Sequence, residues 1–185
     1  MKTILFLLLF AISNNTSAIV PYVVENEEKL FVNQHTPVWC WAAMAEALYN
    51  YHNEDQKYQD DIARNNPYAT HVEKWDMYAV QNYQDDYLLT NVLVSDKYKP
   101  NVHFYDEEKV ISLLNKNHPV VVAQYSHVVM IFGYLKMGDT INYLIFDPGA
   151  HLLLRPNVSL VNSWNFGNIF EGPKSFIMYL EDKQS

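Results

Sequence analysis

The sequence predicts an α+β domain, helices first and an antiparallel sheet second. Three observations carry this expectation. All five glycines (Gly133, Gly138, Gly149, Gly167 and Gly172) lie in the last third of the chain, where turns between strands would need them. A run of good helix formers, WAAMAEALYNYH, fills Trp41 to His52. Three β-type runs, PVVVAQY, HVVMIFGYL and INYLIFD, then follow one another after residue 118.

Residues 1–18, MKTILFLLLFAISNNTSA, have the layout of a secretory signal. Lys2 supplies the positive start, Ile4 to Ile12 the apolar run, and Thr16-Ser17-Ala18 a small-residue cleavage site. The apolar run is short for a stop-transfer helix, and no second one follows, so stable membrane insertion is not expected. The expected product is secreted or periplasmic and begins near Ile19, with residues 19–185 forming a single domain.

Within that domain, Ala43 and Ala47, and Met44 and Leu48, repeat at four-residue spacing and give the first helix an apolar face. Pro37 stands ahead of it, where proline is harmless. A second short helix is expected within residues 56–65, QKYQDDIARN. The tyrosine-rich stretch from Asn66 to Phe104 reads as short helices and irregular loops. In FYDEEKVISLLNKN, Asp106 is placed as an N-cap, acids follow in the first turn, and Val110, Leu113 and Leu114 form an apolar face. Met137-Gly138-Asp139 reads as a hairpin turn between the second and third β-type runs. The closing SFIMYLE adds a further strand.

A hydrophobic content of 49% excludes a disordered chain. The formal charge of −8, with no cluster of Lys and Arg, argues against nucleic acid, whose phosphates need clustered cations.

Chemistry concentrates on Cys40, the chain's only cysteine, in QHTPVWCWAAMAEAL. Exported proteins use cysteines in pairs, so a lone thiol is either a buried small hydrophobe or a reactive group. At a helix start the macrodipole favours a thiolate, and an imidazolium favours it further. Such a nucleophile needs a base, a group that orients the base, and donors for an oxyanion. His127 opens the strand HVVMIFGY and is the candidate base. Asp147 closes INYLIFDPG, and hairpin pairing of the two strands brings it alongside His127, where a carboxylate would hold the imidazole. Gln34, six residues ahead of Cys40, could fold back to offer a side-chain amide to the oxyanion beside the Cys40 backbone N–H.

Gln34, the run Trp39-Cys40-Trp41-Ala42-Ala43, Ser126-His127-Val128-Val129 leading to Gly133-Tyr134, and Asp147-Pro148 together resemble the papain-like cysteine peptidases. The compact bacterial branches, similar to bacteriocin-leader (double-glycine) peptidases and avirulence-effector proteases, come nearest. The resemblance implies a papain-like fold with a helical lobe carrying the thiol and a sheet lobe carrying histidine and aspartate. It implies Cys40 as nucleophile, His127 as base and acid, Asp147 as orienter and Gln34 as oxyanion donor, with Trp39 and Ser126 in the substrate cleft. Ser126 stands where many relatives have glycine. A protein or peptide substrate and no cofactor or metal follow from the same resemblance. No prosequence of familiar length lies between Ala18 and Gln34, which leaves an enzyme made active or held by a separate inhibitor or immunity partner.

Competing readings are an inactive papain-like binding module and a thiol deamidase, amidase or transglutaminase. A zinc site on His127, Asp147 and His151 is disfavoured, because Pro148 and Gly149 oppose a helix and no HExxH or CxxC is present. The pairs Asp60-Asp61 and Asp85-Asp86 read as solvated faces. Trp164 could cover the His–Asp pair, and Asn157-Val158-Ser159 fits a glycosylation sequon.

Overall fold

A computed structural model describes residues 19–66, 88–124, 127–163 and 176–184. The signal-like segment 1–18, Ser126, Trp164 and most of the tyrosine-rich middle lie outside these residues. Among the described residues, no helix is long and apolar enough to cross a membrane.

The chain opens with strand β1 (Ile19–Val23) and a 3-10 turn, Glu27–Leu30, then enters helix α1 (Cys40–His52) and the short helix α2 (Gln59–Arg64). Strand β2 (Tyr98–Phe104), helix α3 (Glu107–Asn115) and strands β3 (Val120–Gln124), β4 (His127–Met137) and β5 (Thr140–Phe146) follow. A 3-10 turn at Ala150–Leu153 and strands β6 (Val158–Asn162) and β7 (Phe176–Asp182) complete it. The strands form one antiparallel sheet in the order β2-β7-β3-β4-β5-β6, with β1 on β4.

The architecture is the α+β one expected, with helix α1, the Asp106-capped helix α3, the β4–β5 hairpin and the closing strand where the sequence places them. Asp106 accepts from the Lys109 N–H at 2.7 Å, and Gly138 takes the left-handed conformation (φ 63°) that the hairpin turn requires. Three strands depart from the expectation. Between Asn66 and Phe104, where the sequence predicts short helices and irregular loops, the described part holds a π-helical turn, Leu88–Val92, and strand β2. Strands β1 and β6 are likewise additional, so the sheet draws on both ends of the chain rather than on its second half alone.

Long strand β4 organises the sheet. On one side its first half pairs with β3 (Gln124↔His127 to Val120↔Ile131) and its second half with β1 (Val23↔Gly133 to Ile19↔Met137). Gly133 stands where the partner changes. A Cβ there would lie 2.5 Å from the Tyr22 carbonyl oxygen, so β1 can approach only glycine.

Helix α1 packs on β4 and β7, and α3 on β1, β3 and β4. The single apolar face expected of α1 widens to nearly the whole circumference: between Cys40 and Asn50 every residue but Glu46 is buried. Four alanines (Ala42, Ala43, Ala45 and Ala47) make this possible, since small side chains let neighbours close in on all sides. A helix so enclosed holds its first residue, Cys40, in a fixed place.

Candidate active site

Cys40 is the first residue of α1 and only 7% exposed. Its approach is set by Thr36-Pro37, after which the Trp39 N–H returns to the Thr36 carbonyl at 3.2 Å. Trp39 stands at the N-cap, half-buried against the core, and no side chain caps the helix. The first turn lacks intrahelical partners for its N–H groups by construction. Most helices spend a Ser, Thr, Asp or Asn oxygen on them; here the place nearest those dipoles holds a sulfur.

His127 opens β4 and Asp147 follows β5 directly. Pairing alone would not align them. The β4–β5 ladder runs from Met137↔Thr140 to Gly133↔Leu144, then slips past Phe132 and resumes at Ile131↔Ile145 and Met130↔Phe146. Continued by one residue, that register sets Asp147 opposite Val129, which shares a face with His127. Without the bulge Asp147 would oppose Met130 and point to the other face.

So aligned, Asp147 Oδ1 accepts from His127 Nε2 at 2.8 Å. The same oxygen accepts from the Gly149 N–H at 2.8 Å, and Asn157, just ahead of β6, grips the residue's main chain: its Nδ2 donates to the Asp147 carbonyl at 2.8 Å, and its carbonyl accepts the Asp147 N–H at 2.8 Å. Cys40 lies near enough to the imidazole to act on its charge. Asp147 occupies Nε2, which leaves Nδ1 as the ring nitrogen not engaged by the carboxylate.

Burial works against a charge on His127, but the hydrogen bond to Asp147 and the neighbouring Cys40 outweigh it and push the imidazole up to about 10. Burial likewise works against the Asp147 carboxylate, and its bonds from His127 and Gly149 still hold it below its ordinary value. The side chains of His127 and Asp147 remain 40% and 34% exposed, so the cluster opens to solvent on the histidine side and is closed on the cysteine side.

Gln34 is 4% exposed and lies beside the turn after Asp147. Its backbone N–H donates to the Pro148 carbonyl at 3.0 Å, and its side-chain Nε2 to the Thr36 carbonyl at 2.8 Å. Thr36 carries the chain into α1, so Gln34 bridges the turn behind Asp147 and the entry to the cysteine helix. One of the two amide hydrogens on Nε2 is thereby used and the other is left. Ser126 falls outside the described residues. His151 sits apart from the cluster, donating through Nδ1 to the Pro148 carbonyl at 3.0 Å.

Sequence reasoning reached Cys40, His127, Asp147 and Gln34 but not the groups that hold them. Asn157 showed only as a sequon and Gly149 as a turn glycine. Gln59, which bonds the main chain on both sides of Gln34, showed as one residue in a polar helix. None of them carries a motif for the role it plays here.

Residues 20–165 match the Peptidase_C39 like family, a stretch that takes in most of the chain and all of the site. No curated protein matches the chain.

Proposed function

We propose that this chain, which belongs to the Peptidase_C39 like family of papain-like cysteine peptidases, is an exported thiol peptidase that uses Cys40, His127, Asp147 and Gln34. The observation that carries the reading is the placement of His127, bonded to Asp147 at 2.8 Å through Nε2 and close enough to Cys40 for the two groups to act on each other's charge. A core thiol would have no use for a polarised imidazole, and a binding module no use for the carboxylate behind it.

The chemistry follows from the geometry. The Cys40 sulfur attacks the scissile carbonyl carbon, and the electron pair moves onto its oxygen. That oxyanion is met by the Cys40 N–H at the uncapped start of α1 and by the remaining amide hydrogen of Gln34. Collapse breaks the C–N bond, and the imidazolium of His127 gives its proton to the departing amine. A water molecule then attacks the thioester as His127 takes its proton. The acid product leaves and the thiol is restored. Asp147 keeps the ring oriented and its charged form favoured throughout.

The test is to incubate the protein with denatured casein and a mixed peptide pool and to read the products by mass spectrometry, with Cys40→Ala as control. New peptide N-termini produced by the wild-type protein alone support the peptidase. Deamidated glutamines without new termini would transfer the same residues to a deamidase. No product together with slow iodoacetamide labelling of Cys40 would sink both.

A further inference from the structure

Gln59 is the first residue of α2 and is 1% exposed, a polar side chain enclosed in the protein. Burying an amide is costly unless its groups are paired, and both ends of this one are spent on a single short loop. Its Oε1 accepts from the His35 N–H at 2.8 Å, and its Nε2 donates to the Asn33 carbonyl at 2.9 Å. Those two peptide groups flank Gln34. The backbone N–H of Gln59 in turn donates to Glu46 Oε2 at 2.7 Å, and Glu46 belongs to α1, the helix that begins with Cys40.

We propose that Gln59 is a positioning residue for the reaction, setting the Gln34 amide against the oxyanion by clamping the main chain on both sides of it and tying that clamp to the cysteine helix. This rests on the reading of Gln34 as oxyanion donor. Gln34 is strapped from two directions, by Gln59 through its neighbours and by the Pro148 carbonyl through its own N–H. Only a glutamine-length amide can do the first. A methionine fills the space but leaves the Asn33 carbonyl and the His35 N–H without their partner. A glutamate accepts from His35 but has no N–H for Asn33, and sets a second carboxylate beside Glu46.

Two reactions at the same thiol separate positioning from general loosening. Alkylation by iodoacetamide displaces iodide at a saturated carbon and forms no oxyanion. Acylation by p-nitrophenyl acetate passes through one: the sulfur bonds to the carbonyl carbon, p-nitrophenolate leaves, and water later releases acetate. Gln59→Met should slow acylation by about 10- to 100-fold, the cost of a misplaced catalytic group, while alkylation stays at the wild-type rate. Gln34→Ala should do the same, and the double variant should be no slower than Gln34→Ala alone. Gln59→Glu stands in should Gln59→Met fail to fold. Unchanged acylation in a folded Gln59 variant, with Gln34→Ala slowed, overturns the positioning role and leaves the peptidase reading intact. An equal fall in acylation and alkylation overturns it in favour of a purely structural role. Unchanged acylation in Gln34→Ala removes the oxyanion reading itself, and the proposal with it.

Discussion

Gly149 lies with its Cα against the side-chain amide of Gln34, so close that a Cβ would stand 2.9 Å from Oε1 and 3.3 Å from Nε2. The backbone of Gly149 is ordinary (φ −98°, ψ −9°), and any residue could adopt it. What crowds a side chain there is the Gln34 amide, whose atoms are the three nearest. Gly149→Ala should push that amide aside, slow acylation by p-nitrophenyl acetate about tenfold or more, and leave thermal stability within a few degrees of wild type. Removing a glycine from a compatible conformation offsets part of any contact cost. A variant that loses stability but not acylation rate would show that the close contact is structural only.

The imidazole of His127 is held protonated up to about 10, so its charge is present throughout neutral and mildly acidic solution. Iodoacetamide should therefore label Cys40 readily at pH 5–6 in the wild-type protein. His127→Ala should label at that pH at least tenfold more slowly, since the imidazolium that favours the thiolate is gone. Hydrolysis should show a basic limb near pH 10 as the proton donor is lost, and alkylation, which needs no proton donor, should not. Equal labelling of wild type and His127→Ala at pH 5–6 would dissolve the proposed pair.

Asp147 contributes to that shift through one hydrogen bond and its charge. Asp147→Asn keeps an acceptor at hand but removes the charge, so His127 should titrate lower than about 10 and move toward an ordinary histidine value. Turnover should fall by about 100-fold or more, within the roughly 10²–10⁴ that a positioned acid–base pair contributes. The imidazole proton resonance of His127, followed by NMR against pH, measures the shift directly. An unmoved titration would mean that Cys40 alone sustains the charge.

What the sequence made legible follows from which forces leave a pattern. Helix α1 could be read because Ala, Met, Glu and Leu favour a helix wherever they stand, and the β4–β5 hairpin because both strands are continuous apolar runs around Gly138. The strands that escaped were β1, β2 and β6. Of these, β2 and β6 lie at the edges of the sheet and β1 pairs with β4 alone. They bury little: β6 is exposed at Val158, Ser159 and Leu160, and β2 carries Pro100, which only a strand with a free side tolerates. Their identity comes from partners distant in the chain rather than from their own residues.

The site divides the same way. Cys40, His127 and Asp147 announce themselves by chemistry, and counting back from the hairpin turn brings the last two close. That count, however, runs without the bulge at Phe132, which decides the face on which Asp147 emerges. The one local sign of it was Gly133, an isolated glycine inside a strand. Asn157, Gln59 and Gly149 act through main-chain bonds or through the absence of a side chain, and neither leaves a recognisable residue pattern.

His52, in the last turn of α1, should make the fold sensitive to acid. Its ring stacks on His118 (centroids 5.5 Å apart, planes at 27°) and meets Tyr51 and Tyr98 edge-on or tilted, while Glu181 and Lys116 act on His118. Burial first, and the neighbouring His118 second, press His52 down to about 3 from an ordinary 6.5. The folded protein therefore keeps this histidine neutral over a range in which the unfolded chain protonates it. The unfolded state binds the extra proton between about pH 6.5 and 3, so stability falls as the solution is acidified through that window and is unaffected by His52 above it. One such proton changes the folding equilibrium by about tenfold per pH unit at the steepest. His118 is lowered in the same direction and steepens the loss. Urea denaturation at several pH values between 4 and 7 should show this decline in the wild-type protein, and His52→Phe should flatten it while leaving Cys40 alkylation at neutral pH unchanged. A slope identical in the two proteins would mean that His52 takes up its proton in the folded state as easily as in the unfolded one, and the source of acid sensitivity would then have to lie elsewhere in the sheet.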